Sequence, residues 1–431
     1  MTVSISADVK DYILPARVSV HANCNVPEGD SAVYCWTFVN GTSTATAVAT
    51  DDPDIAVDLT VAGKWTVSVS VTNTATEAYC QTTVPDFLTL APKTVYVIKG
   101  NAGAAYPYDT EATAAADILT AAKSLMIAGQ EVVIAPETYL INTGVTLTMG
   151  VTVRGATGNP ADVVIDRNNG GIAFTLSDPQ ALLTGVSVTR GSTGAGGGAG
   201  VNVNNGCVSN CIVRSCSSNG SYDSAAVYAS GRYAVVSHCV ISNNTATGGT
   251  VAYRAAGLQL LDGARAENCL VVDNRYSGTL ASVATAGGII VRASSMADAP
   301  SRLINCTVFS NACPLVGGLF AVKTANNDSS ARIVNTVVTG NLLTGCPAEG
   351  AEPEVKAADK AWLSNCQVGG TDLFEPGSLL PRLWGQLWGK GDNAAVSEAT
   401  DLRGNPRIVG RNVDIGCYES VCLPGLMLIV R

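Results

Sequence analysis

The 431-residue chain is long enough for two or three domains and a large core. Only 14% of its residues are charged and 44 are glycine, a composition that suits many short strands and leaves no long amphipathic helix. The net charge of −9 and pI near 4.8 argue against a polyanion-binding surface, nucleic acid included.

Met1-Thr2-Val3-Ser4-Ile5 runs straight into a strand-like pattern with no leader, so export implies that a leader has been removed. Residues 1–92 alternate apolar and polar positions around Trp36, as a small β-sandwich does. WTFVNGTSTA at 36–45 followed by AGKWTVSVSVTN at 62–73 resembles a PKD or immunoglobulin-like module, although Thr37 and Val39 depart from the usual W-D-F-G-D-G. That resemblance implies a spacer or weak binding unit on an extracellular protein. Cys24 can pair with Cys80 or with Cys35, and the sequence does not choose. The Pro-bearing stretch 84–93 reads as a linker.

Residues 109–128 are Ala-rich and predict a helix that caps whatever follows. VVIAPETYLI at 132–141 and GVTVRGA at 150–156 then read as strands. The stretch from YVIKGNAG to ETYLI resembles the opening of bacterial pectate-lyase-like β-helix proteins, with Glu137 where glycine is usual. LRGNPRIVGRNVDIGCYE at 402–419 resembles the terminal motif of the same broad group, common in surface proteins. The group mixes lyases, hydrolases and proteins without known chemistry, so the resemblance implies architecture rather than activity.

Between these ends one phrase recurs: NCIVRSC, HCVISNN, NCLVVDN, NCTVFSN, NTVVTGN and NCQVGG, after a degenerate GVSVTRG. Val186, Cys211, Cys239, Cys269, Cys306, Thr336 and Cys366 lie 25, 28, 30, 37, 30 and 30 residues apart. Such a period with variable inserts means a solenoid, and the alternation in C-x-V means a strand with one buried face. A second short strand precedes each phrase: GVNV, AVYA, GLQL, GIIV and GLFA. The expected architecture is all-β: a sandwich at 1–92, a right-handed parallel β-helix at 93–375 and a C-terminal cap of the helix at 376–431.

Stacked coils place Cys211, Cys239, Cys269, Cys306 and Cys366 in one inward column, with Cβ atoms ~4.8 Å apart, beyond disulfide reach. They read as buried thiols acting as small hydrophobes; a metal site from Cys207, Cys211 and Cys216 is the sharper, lesser alternative. Five residues further on, Asn244, Asn274, Asn311 and Asn341 form a second column, suited to hydrogen bonding along the stack and to left-handed backbone.

Catalysis has thin support. The histidines are His21 and His238, the latter standing at an asparagine position of the repeat. There is no phosphate loop, metal-ligand spacing or Asp cluster of the polygalacturonase kind. The best candidates are Tyr253, Arg254, Arg275 and Tyr276 in twelve-residue insertions at 245–256 and 275–286, with Tyr222 and Asp223 nearby. Arginine neutralises a uronate carboxylate and tyrosine packs on sugar faces, as a polysaccharide lyase requires. The outward positions Asn202, Tyr228, Gln259, Ile290 and Phe320 form a candidate ligand-binding stripe.

The leading expectation is a secreted or cell-surface adhesin or glycan-binding component without catalysis. A lyase or hydrolase of acidic glycans is the alternative, and a self-assembling surface or filament protein the third. Partners are then polysaccharide or glycoprotein glycans, or like subunits; nucleic acid is not among them. No cofactor or metal is called for, and Ca²⁺ enters only for a lyase. The apolar run 423–430 is too short to span a bilayer.

Overall fold

The computed structural model describes all residues except 42, 47–48, 195, 220–223, 248–252, 279–283, 297, 324–329, 346, 348 and 421–431. The chain divides into two units, Met1–Val133 and Ile134–Arg431.

The first unit contains the sandwich. Val3–Ser6, Ala16–Cys24 and Asp54–Leu59 form one antiparallel sheet. Ala32–Asn40, Gly63–Asn73 and Tyr79–Ala91 are the long strands of the other. Period-2 alternation sends Trp36, Phe38, Trp65, Val67, Val69 and Val71 into a common core. The helix expected across 109–128 shrinks to Ile118–Lys123, where Asp117 caps by accepting from the Thr120 amide at 2.9 Å. Residues just before it are held as extended backbone instead: Ala115 N–H donates to Tyr96 O, and Ile98 N–H donates to Ala115 O.

The second unit is a right-handed parallel β-helix. Each central coil contributes two more strands than the sequence pattern reveals, one of them a two-residue strand in a six-stranded sheet that includes Ser217–Ser218, Thr245–Ala246 and Arg275–Tyr276. Gly206–Ser209, Ala234–Ser237, Arg265–Glu267, Ser301–Ile304 and Ala331–Val334 stack in one parallel sheet, immediately before the NC turn. Ile212–Arg214, Val240–Ser242, Leu270–Val272, Thr307–Phe309 and Val337–Thr339 stack in the next, after it. Ser224–Ser230, Leu258–Leu261, Ile289–Arg292 and Leu319–Val322 stack in the third. In-register columns fill the interior: Val208, Val236, Ala266, Leu303 and Ile333 from one wall, and Val213, Ile241, Val271, Val308 and Val338 from another. Each valine, leucine or isoleucine of these columns contributes roughly 1.5–3 kcal/mol by leaving water.

Within the segment expected as a cap, residues 387–417 run as a strap along the flank of successive coils, gripped by the NC turns. Asn365 donates to Lys390 O, and Asn335 makes a two-way pair with the Asp392 backbone at 2.9 and 2.7 Å. Asn268 and His238 both donate to Thr400 O, at 3.1 and 2.9 Å. Leu387 and Ile415 pack on Val337, and the Cys417 amide donates to Thr307 Oγ1 at 3.0 Å. An arginine, Arg407, lies buried in the strap with Asp401, Asp414 and Glu419.

Candidate functional site

The cysteine column is a hydrogen-bonded wall. Cys211, Cys239, Cys269, Cys306 and Cys366 each donate to the carbonyl two residues back, at 3.1–3.3 Å. Thr336 makes the same bond at 3.0 Å, which explains why a hydroxyl substitutes for a thiol there. Burial pushes the Cys207 thiol up to about 11 and Cys216 up to about 12, and among the described residues no group of three or more His, Cys, Asp or Glu side chains could hold a metal ion.

The asparagine column is continuous. Asn244 donates to Asn274 Oδ1 at 2.9 Å, Asn274 to Asn311 at 2.9 Å and Asn311 to Asn341 at 3.0 Å. Glu354 takes the next rung, accepting from Asn341 at 2.7 Å. Left-handed backbone falls elsewhere than expected. It sits at the first residue of each phrase (Asn210, His238, Asn268, Asn305, Asn335 and Asn365, φ 48–51°) and at the residue before each ladder asparagine. Gly288 and Gly318 leave the ladder its room, since a Cβ there would stand 3.0 and 2.8 Å from the amide nitrogens of Asn311 and Asn341.

The four arginine and tyrosine candidates do not converge on a groove. Successive residues of an extended segment face opposite sides, so a Tyr-Arg or Arg-Tyr dipeptide splits its pair. Arg254 is fully buried, donating to Thr247 O at 2.8 Å, and Tyr276 is buried with Ala246, Ala256 and Cys313. Tyr253 lies on the other face beneath Arg292, whose guanidinium is 4.4 Å from the ring centroid, while Arg275 is exposed. The outward stripe forms one column in register, Asn202, Tyr228, Gln259, Ile290 and Phe320. Its middle is closed over: Gln259 and Ile290 are fully buried, and Tyr253 and Leu315 pack over that face with Ala255 and Ala286. Tyr222 and Asp223 lie outside the described residues. His238 is a strap-holding side chain on the wall of an open hollow of about 450 Å³ that also includes Glu398 and Arg403.

The feature that sequence reasoning missed is a corner at the start of the strap. The turn 382–385, closed by Gly385 N–H donating to Arg382 O at 2.9 Å, presents Trp384 to solvent with 79% exposure. Its φ is +63°, a left-handed conformation that costs a bulky residue roughly 1–2 kcal/mol. The indoles of Trp384 and Trp388 lie 4.4 Å apart, tilted by 52°. Trp388 walls a hollow of about 240 Å³ together with Lys390, Val409, Arg411 and Asn412. Lys390 and Arg411 are exposed, and neither has a side-chain acid within ion-pair distance among the described residues. Asp414 and Glu419 close the floor, with their carboxyls turned to the backbone amides of Gly389, Ser420 and Asp414 and to Arg407.

No protein-family model matches the chain, and no curated protein sequence does. Among solved structures it is similar to YbhC of Escherichia coli, at 11% identity over 69% of this chain and 82% of that chain. The TM-score is 0.29, a likeness too loose to bear on function. The signal that could have found the corner was W-G-Q-L-W at 384–388, two of only five tryptophans, beside two cations in a chain poor in charge.

Proposed function

We propose that this is a secreted or cell-surface, non-catalytic glycan-binding protein, whose Trp384–Trp388 corner holds an acidic sugar. What carries the reading is the indole pair, with exposed Trp384 in a strained turn beside two cations, Lys390 and Arg411, that have no acidic partner among the described residues. The C–H face of a pyranose packs on an indole, and a guanidinium pairs with a carboxylate or sulfate in two-pronged fashion. Trp384 packs on Trp388 yet leaves 79% of its surface in water, so the strained turn gains little burial and recognition explains it better. The chain's overall negative charge fits this local site, since one acidic sugar needs one or two cations rather than a continuous basic face. The sandwich, PKD-like around Trp36, then serves as a spacer.

Affinity electrophoresis through gels containing polyuronate, chondroitin sulfate or neutral dextran tests this. Retardation by an acidic glycan should vanish in Trp384→Ala and weaken about tenfold, ~1.4 kcal/mol, in Arg411→Ala. Both variants should keep the parent unfolding midpoint, because neither side chain is buried. Retardation unchanged in Trp384→Ala would sink the site. Unsaturated product accumulating from polyuronate, with or without Ca²⁺, would replace binding by lyase chemistry.

A further inference from the structure

We infer that Cys24 and Cys80 form a disulfide that staples the two sheets of the N-terminal sandwich when the protein meets a small-molecule disulfide. Cys24 ends the strand Ala16–Cys24 of one sheet, and Cys80 lies near the start of Tyr79–Ala91 in the other. Both pack against the shared core, and their sulfurs are already in contact at 3.8 Å. A bonded pair needs about 2.05 Å, so small side-chain rotations must bring the sulfurs together.

The other candidates are excluded by direction. Cys35 precedes Trp36 on the same strand; Trp36 points into the core, and Cys35 is exposed on the opposite face. The solenoid thiols Cys239, Cys269 and Cys306 are fully buried, each donating to the carbonyl two residues back. Among the described cysteines, Cys24 and Cys80 are therefore a cross-sheet pair fit for oxidation, while the ladder thiols Cys239, Cys269 and Cys306 are shut away from a soluble oxidant.

The exchange balances with oxidised glutathione as oxidant. One cysteine thiolate attacks a glutathione sulfur, forming a mixed disulfide and releasing one glutathione thiolate. The second cysteine thiolate then attacks the protein sulfur of that bond and releases the other. Two protein thiols lose two electrons and two protons, and two glutathione thiols take them up. Burial, and then the Cys80 sulfur beside it, push the Cys24 thiol up, so the bond forms faster as the buffer is made more alkaline. The bridge joins residues 56 positions apart, a span over which cross-linking strongly restricts the unfolded chain.

The full chain would be incubated with oxidised glutathione, alkylated, and digested without reduction between Cys24 and Cys35 for mass spectrometry. The expected product is a Cys24–Cys80 linked peptide, with Cys35 outside it. Oxidation should also raise the unfolding temperature of the sandwich by about 10 °C or more, a shift absent from Cys24→Ser. A Cys24–Cys35 link, or Cys24 and Cys80 each capped separately by glutathione, would overturn the assignment. Because the readout is a covalent mass, it stands or falls independently of glycan binding.

Discussion

Asn311 shows how much one polar side chain carries when it is repeated along a stack. Its amide nitrogen donates to Val271 O, Phe309 O and Asn341 Oδ1, at 2.9, 3.1 and 3.0 Å. Its oxygen accepts from the Asn274 amide and side chain at 3.0 and 2.9 Å. All of this lies in the dry interior, so removing the side chain orphans donors and acceptors on three coils. Asn311→Ala should lower the unfolding free energy by about 3 kcal/mol, read as a fall in the urea midpoint. A change under about 1 kcal/mol would mean that water replaces the ladder. The first asparagine of each phrase works differently, by tolerating φ near 50° at the corner between two sheets. That division of labour was half legible: the two asparagine positions repeat visibly, but which one takes the left-handed turn depends on where the chain changes sheets.

The strap is an element whose stability depends on a crowded charge cluster. Three carboxyl groups, Asp401, Asp414 and Glu419, are buried with one guanidinium, Arg407, whose nearest carboxylate contact is Glu419 at 3.3 Å. Asp401 accepts from the amides of Arg403, Asn405 and Glu419, and Asp414 from those of Gly389 and Ser420. Glu419 has the Asp414 amide and Arg407, and burial outweighs both, pushing its carboxyl up to about 8. A carboxyl that holds its proton in the folded chain but not in the unfolded one stabilises most below the unfolded value. That contribution drains away as pH rises from about 4.5 to about 8, at up to ~1.4 kcal/mol per unit. The parent should therefore lose thermal stability across that window relative to Glu419→Gln, which has no proton to lose. Parallel curves of unfolding temperature against pH would mean that Glu419 stays ionised beside Arg407 and that the pair outweighs burial.

At the scale of the whole molecule, the solenoid was legible because one buried position per coil is chemically marked: a thiol, or in one coil a hydroxyl, that bonds the carbonyl two residues behind it. The closed stripe was not legible, because Gln259 and Ile290 are covered by residues of the insertions and of later coils, a tertiary event without periodicity. Nor was the Trp384 corner, which lies between the last repeat phrase and the terminal motif at 402–419, where no periodicity marks it. Among the described residues no helix is long and apolar enough to cross a membrane, and the second unit is built of stacked coils. Coils that contact mainly their neighbours open most readily from an end, so protection should grade along the column. Timed alkylation of the native, reduced protein can read that gradient from its thiols. Exposed Cys35 should react first and half-buried Cys366, in the last coil, next. Cys239, Cys269 and Cys306 should lag Cys366 by about 100-fold or more, since each further ~1.4 kcal/mol of opening energy slows labelling tenfold. Equal rates for Cys366 and Cys269 would show instead that the coils open as one unit, with the strap, which ties the Asn365 turn to the His238 turn through its own backbone, as the brace that couples them.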